Sequence, residues 1–124
     1  MIKYHHAPDI ENRIRDISLR LQMEHIDLSR VKCVRSRGSG SRRVLARCHA
    51  LPRIMQHALD VKAHYVIEII SEQFDRLSEE DQTKTLIHEL MHIPAAFGGG
   101  FRHHRPFVNR RAVDTMYKKY RSVN

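Results

Sequence analysis

The chain has 124 residues, enough to bury one hydrophobic core, and we expect a single domain over residues 1–124. No run approaches ~18 apolar residues and the N-terminus lacks a signal peptide's apolar segment, which excludes a membrane protein and predicts a soluble cytoplasmic one. The 22 Lys and Arg against 14 Asp and Glu give a net charge of +8, which suits acidic partners.

The first half of the chain predicts one helix and then a β-hairpin. The helix begins at Pro8 and ends near His25, because apolar residues recur at helical spacing. These are Ile10, Ile14, Ile17 and Leu21. Apolar and polar residues then alternate over 31–37 and 44–50, which predicts two strands, and the short Gly38–Ser41 stretch predicts the hairpin loop between them.

The register of that hairpin bears on the two cysteines. A turn centred on the Gly40–Ser41 bond sets Cys33 opposite Cys48, and apolar side chains also meet in this register. A cross-strand disulfide is then geometrically possible. A reducing cytoplasm favours the other interpretation, in which both residues are small buried hydrophobes with free thiols.

The second half predicts a short helical turn over 53–59, a strand over 65–70, a helix over 78–93 and a final helix over 107–120. Mixed in this order, the elements indicate an α+β fold, a small and mainly antiparallel sheet packed on helices.

The helix over 78–93 carries the motif HExxH as His88-Glu89-Leu90-Met91-His92. Positions i and i+4 share one face of a helix, so the two imidazoles can close on one metal ion with the carboxylate beside it. Because the chain holds ten histidines, a coincidental match is the alternative. The N-cap at Ser78, the acids that follow it and the stop at Pro94 favour a genuine helix and a zinc site.

A catalytic zinc takes three protein ligands, so a further one is expected downstream. Asp114 is the one carboxylate residue after Ile93, and Gly98 stands where a metzincin has its third histidine. The remaining candidates are His103 and His104, which follow a glycine-rich turn that lets the chain reverse. An adjacent pair cannot easily share one tetrahedral ion, so one of the two is expected to ligate, and we favour His104.

Three stretches together carry a family resemblance: YVIEIIS (65–71), LIHELMHIP (86–94) and GGGFRHH (98–104). They resemble the small archaeal and phage metallopeptidases, a SprT-like group of zincins, over roughly residues 45 to 115. The resemblance implies a minimal zincin-like domain, zinc held by three histidines and peptide hydrolysis. The family pattern GGxRxH implies His104 as the third ligand, with His103 as an additional histidine. In such architectures an edge strand can accept an extended substrate, and we expect the hairpin to supply that edge.

The expected mechanism is that of a zinc metallopeptidase acting on a protein or peptide. Zinc lowers the pKa of a water to about 7, and Glu89 is placed to act as general base and proton shuttle. An oxyanion donor is also required, and the sequence does not rank its candidates. They are Arg102, Tyr117, Tyr120 and the unused histidine of the doublet.

Basic residues are concentrated in one part of the chain, since residues 28–59 hold eight Lys and Arg and no acid. This supports an alternative function, a basic nucleic-acid-binding module whose zinc is structural. Glu89 favours the enzyme, because a structural site needs no carboxylate there and prefers a fourth protein ligand. Nothing in the sequence predicts the oligomeric state.

Overall fold

The structure is a computed structural model that describes residues 1–101 and 108–123. It has an α+β fold with one four-stranded sheet. The elements in chain order are β1 (Lys3–His6), α1 (Pro8–Arg20), β2 (Val31–Arg37), β3 (Ala46–Ala50), α2 (Arg53–Leu59), β4 (Tyr65–Ile70), α3 (Ser71–Phe74), α4 (Glu79–Met91) and α5 (Arg110–Ser122). None of the helices in the described residues has the length and apolar character needed to cross a bilayer.

The strands are arranged in the order β1-β2-β4-β3. β4 pairs in parallel with β2 and antiparallel with β3, and β1 pairs antiparallel with β2. The predicted hairpin is therefore wrong, because β4 is inserted between the two strands that it was expected to join. The limits of β2 and β4 are as predicted, whereas β3 begins at Ala46 instead of residue 44.

The core lies on the sheet face that is covered by α1 and α4. Five strand residues on this face are at most 2% exposed: Val31, Cys33, Tyr65, Ile67 and Ile69. Most apolar residues on the inner sides of the two helices are buried to the same extent. The largest buried side chains include Ile10, Ile14, Ile17, Tyr65, Ile67, Ile69, Leu86, Ile87 and Leu90. The helical spacing read from the sequence for α1 is thus the spacing that its core contacts require.

Helix α1 ends at Arg20, earlier than the predicted end near His25. Gln22 takes the left-handed conformation with φ 53°, and the amide of Met23 donates to the carbonyl of Ser18 at 2.9 Å. A second bond from the Gln22 amide to the carbonyl of Leu19, at 3.2 Å, completes a Schellman motif. Glutamine stands where glycine is usual, so the sequence lacked the expected stop signal.

Helix α5 is fastened to both other long helices. The hydroxyl of Tyr120 donates to Asp16 of α1 at 3.0 Å, and the ammonium of Lys84 on α4 lies 3.2 Å from the carboxylate of Asp114. Lys84 also lies over the ring of Tyr117, 5.2 Å from its centroid. These contacts fix the position of α5 beside α4. The helix begins at Arg110, three residues after the predicted start.

The cysteines provide a test of the strand order. Cys33 and Cys48 both pair with Ile67, from opposite sides of β4, so their Cα atoms are two strand spacings apart, or about 10 Å. A disulfide requires Cα atoms within about 7 Å. Both thiols are free, and burial raises the pKa of each to about 12.

We expect a thiol-reactive dye to label two groups in unfolded, unreduced protein and to react slowly when the protein is folded. Loss of both thiols to a bond within one chain would contradict this strand order.

Candidate metal centre

His88, Glu89 and His92 meet on the last two turns of α4. One ligand atom from each residue can be chosen so that all three atoms lie within 4.8 Å of one another. The Nε2 atom of His88 is 3.9 Å from Oε2 of Glu89, and the two imidazole rings have centroids 4.9 Å apart. The predicted i, i+4 geometry is thus present in the folded chain.

The helix is held by features at both ends. Ser78 caps its N-terminus by accepting a hydrogen bond from the Asp81 amide at 3.2 Å, as its sequence suggests. At the other end, Nε2 of His25 is 3.2 Å from the carbonyl oxygen of Ile93, one residue past His92. The helical turn that carries the histidine pair is therefore held at its end by a residue from outside the helix, His25.

Glu89 differs from the two histidines in its burial. It is 6% exposed, whereas His88 and His92 are half-buried at the surface of the site. Removal from water raises the pKa of the Glu89 carboxyl to about 8, because burial penalises the charged form. In the metal-free chain this carboxyl is therefore mainly protonated at neutral pH.

The donor set fits a zinc ion. Two imidazole nitrogens on one face of a helix are donors that Zn²⁺ takes in catalytic sites, and the half-buried histidines leave the site accessible. A divalent cation close to Glu89 would favour its charged form and so offset the effect of burial. The residues present are thus consistent with a bound metal.

The chain that leaves the site is fastened to β4 by Tyr65. This fully buried tyrosine donates to the carbonyl of Gly100 at 2.9 Å and accepts from the amide of Gly99 at 3.0 Å. Its ring also meets Phe97 edge-on, with centroids 5.0 Å apart. Gln56 adds a hydrogen bond to the Gly98 carbonyl at 3.4 Å. The glycine-rich turn is therefore tethered to β4 and α2. The sequence predicts Tyr65 only as a strand residue and gives no sign of this contact.

Some of the predicted site residues cannot be placed. His103, His104 and Arg102 lie outside the described residues, so the third ligand stays a prediction. Of the two tyrosines proposed as oxyanion donors, Tyr120 uses its hydroxyl to bind Asp16 of α1. Tyr117 accepts from Arg121 at 3.2 Å through its own hydroxyl. Both hydroxyls thus have partners on the helices themselves.

A cleft of about 670 Å³ opens beside His88 and Glu89. Its walls come from α4, from the start of α5 and from residues 43–46, which lead into β3. Residues 44–46 were expected in the hairpin that supplies the substrate edge. They reach the cleft instead through the edge strand β3, which β4 separates from β2.

The buried carboxyl of Glu89 makes the metal-free protein sensitive to pH. Its pKa in the folded state, about 8, lies above its usual value of 4.5, so the folded chain binds more protons between these values. The free energy of unfolding must therefore fall as the pH rises through this window.

We expect the free energy of unfolding of Glu89→Gln, relative to that of the wild type, to increase by at least about 1 kcal/mol between pH 5 and pH 8. It is measured by urea unfolding with a chelator present. Glu79→Gln, at the exposed start of α4, is the control, and a constant difference for Glu89→Gln would contradict the burial argument.

Comparison with known proteins points to the same chemistry. The model of a family described as "Putative phage metallopeptidase" matches residues 2–122, nearly the whole chain. Searches of curated proteins and of solved structures found no match. The family implies a metal, and the His88–Glu89–His92 cluster is a group of side chains able to hold one. The chain belongs to this family of phage metallopeptidases.

Proposed function

We propose that the protein is a zinc-dependent peptidase in which His88 and His92 bind the metal and Glu89 is the general base. The observation that carries the proposal is the convergence of these three side chains within 4.8 Å on one helical turn. The family match supports it independently, because it rests on almost the entire chain and not on the motif alone.

The chemistry divides between the metal and the chain. Zinc, when bound, lowers the pKa of a water to about 7 and polarises a substrate carbonyl. Glu89 takes the proton that the attacking water loses and delivers it to the nitrogen of the leaving amine. A cation at the site would favour the charged form that accepts the proton, and burial keeps the protonated form accessible near neutral pH for the delivery. His88 and His92 remain neutral ligands that α4 holds at a fixed separation.

We propose His104 as the third ligand. The turn that Tyr65 tethers at Gly99 and Gly100 ends a few residues before it, and the resemblance to the GGxRxH pattern favours it over His103. Three histidines would leave one position of a tetrahedral zinc for water, which is what a hydrolytic site requires.

The sheet offers a route for an extended substrate. β3 lies at the edge of the sheet and contacts α4, so its outer side borders the cleft beside Glu89. A peptide added along this edge would bring its backbone close to the catalytic side chains. The expected edge is thus supplied by β3 alone and not by a hairpin.

The nucleic-acid alternative has less support from the charges. In the basic segment 28–59, four of the eight basic side chains have carboxylate partners from outside the segment. The pairs are Arg30–Asp27, Arg35–Asp9, Arg37–Asp75 and Arg47–Glu68. A polyanion site depends on many unpaired cations, so this pairing favours the peptidase.

Zinc content tests the ligand set. We expect one zinc per chain in the wild type, little in His88→Ala or His104→Ala, and one in His103→Ala, measured by elemental analysis after gel filtration. His103→Ala is the matched control, because it removes the neighbouring imidazole. Loss of zinc with His103→Ala alone would exchange the two roles, and no zinc in the wild type would contradict the proposal.

The catalytic step is tested with Glu89→Gln. We expect this variant to retain one zinc and to lose peptide cleavage by at least a hundredfold, because proton transfer contributes about 10² to 10⁴ in rate. Cleavage is measured with a peptide library and mass spectrometry. Full activity of the variant would refute the role of Glu89.

The tether at Tyr65 yields a separate prediction. Tyr65→Phe removes both hydrogen bonds to Gly99 and Gly100, so the chain leading to the third ligand is less well positioned. We expect zinc affinity to fall by about tenfold, the smaller effect typical of residues that orient ligands. The control is Tyr120→Phe, which also removes one buried hydroxyl contact but ties α5 to α1. Equal zinc affinities in the two variants, from competition with a chelating dye, would rule out the positioning role.

A further inference from the structure

The cleft beside Glu89 is long enough to hold several residues of a substrate. Its α4 wall runs from Asp81 to Glu89, eight positions along the helix, or about 12 Å at 1.5 Å per residue. An extended peptide advances about 3.3 Å per residue, so three or four residues fit along this wall. The cleft ends at the candidate catalytic residues, and it can therefore hold the residues on one side of the bond to be cut.

Much of the cleft lining is apolar. Side chains from three parts of the chain contribute to it: Val44, Leu45 and Ala46 before and in β3, Leu77 before α4, and Val113 on α5. Charges above such a surface interact more strongly than charges in open water, because the effective dielectric constant is lower. A charged side chain of the substrate would therefore be distinguished from a neutral one.

Two arginines line this cleft, each from a different segment of the chain. Arg43 comes from the segment before β3, and Arg110 begins α5. Among the described residues neither guanidinium has a carboxylate within the 4.0 Å of an ion pair. Their charges are thus available to a ligand.

The arrangement of the helices sets Arg110 at the catalytic end. Tyr120, near the end of α5, lines a cavity with Glu79 at the start of α4, whereas Arg110 lines the cleft with His88. Helices α4 and α5 therefore run antiparallel, and the start of α5 lies toward the end of α4. Lys84 contacts Asp114. Arg110 is one turn before Asp114, and His88 is one turn after Lys84. By helical periodicity, Arg110 therefore lies beside His88 at the same height along the two helices.

The cleft also contains three acids: Asp81, Asp114 and the candidate general base Glu89. Asp114 is neutralised by Lys84 at 3.2 Å, and Lys84 has a second partner in Glu80 at 3.2 Å. Asp81 lies in the first turn of α4, at the end of the cleft farthest from Glu89, where the helix dipole favours a negative charge. Of the three basic residues in the lining, Lys84 is thus held by carboxylates, and Arg43 and Arg110 are the two without an ion pair among the described residues.

We propose that this cleft binds an acidic side chain of the substrate, through Arg43 and Arg110, within three residues of the scissile bond on one side. The inference rests on the proposed peptidase function and names its substrate class. Guanidinium groups form paired hydrogen bonds with carboxylates, and the two segments present one such group each.

The test uses peptides that differ at one position, with Glu, its neutral counterpart Gln, or Lys at each of three sites on either side of the cleaved bond. We expect kcat/KM to be about tenfold higher for Glu than for Gln at a site on one side only, and lowest for Lys. Arg43→Gln and Arg110→Gln are each expected to lower this preference about threefold, within the range of partly exposed ion pairs.

The chain offers matched controls for both variants. Arg42→Gln and Arg111→Gln remove the same charge from the neighbouring residue, and neither residue lines the cleft. The preference for Glu should be unchanged in both. Equal cleavage of the Glu and Gln peptides by the wild type, or equal effects of Arg42→Gln and Arg43→Gln, would overturn the inference and leave the peptidase proposal intact.

A binding measurement tests the acidic subsite without depending on peptidase activity. Fluorescence anisotropy with the zinc-loaded Glu89→Gln protein measures affinity for labelled Glu and Gln peptides without hydrolysis. Tighter binding of the Glu peptide that falls about threefold in a variant also carrying Arg43→Gln supports the acidic subsite even if the wild type cleaves nothing. Equal binding of the two peptides overturns it.

Discussion

The candidate site depends on the way in which α4 is seated against the sheet. Leu86, Ile87 and Leu90 are fully buried, and each contributes about 1.5–3 kcal/mol through the water that it excludes. These contacts fix the rotation of the helix about its axis. With that rotation fixed, His88 lines the cleft and His92 follows one turn later on the same side of the helix. Glu89 is held in a buried position despite the cost of removing a carboxyl from water.

The position of β4 decides the remaining geometry. As the strand between β2 and β3, it carries Tyr65 at the end that meets the glycine-rich turn, and it moves β3 to the edge of the sheet beside α4. The two free cysteines follow from the same order, because β4 separates them. A hairpin between β2 and β3 would have joined the cysteines and removed the edge from the cleft.

The individual elements were largely predictable, but their pairing was not. Alternation identified β2 and the motif identified α4, because both signals are local in sequence. Strand order depends on contacts across the whole chain, and the short Gly38–Ser41 loop favoured the simplest connection. One signal was present: the nearly continuous apolar run of β4 is typical of a central strand buried on both faces. Strand β1 lacked any such pattern in its sequence, Lys3–His6, and was missed.

The difference between local signals and contacts across the whole chain also applies to function. The spacing of His88, Glu89 and His92 is a local signal and predicts the metal chemistry, whereas the substrate is contacted by segments far apart in sequence. The +8 net charge favoured a polyanion when it was read as a total. In the folded chain, half of the basic residues of segment 28–59 are paired, which weakens an extended phosphate-binding surface. Arg43 and Arg110 line one cleft and have no ion pair among the described residues, which suits a single carboxylate better than an extended chain of phosphates.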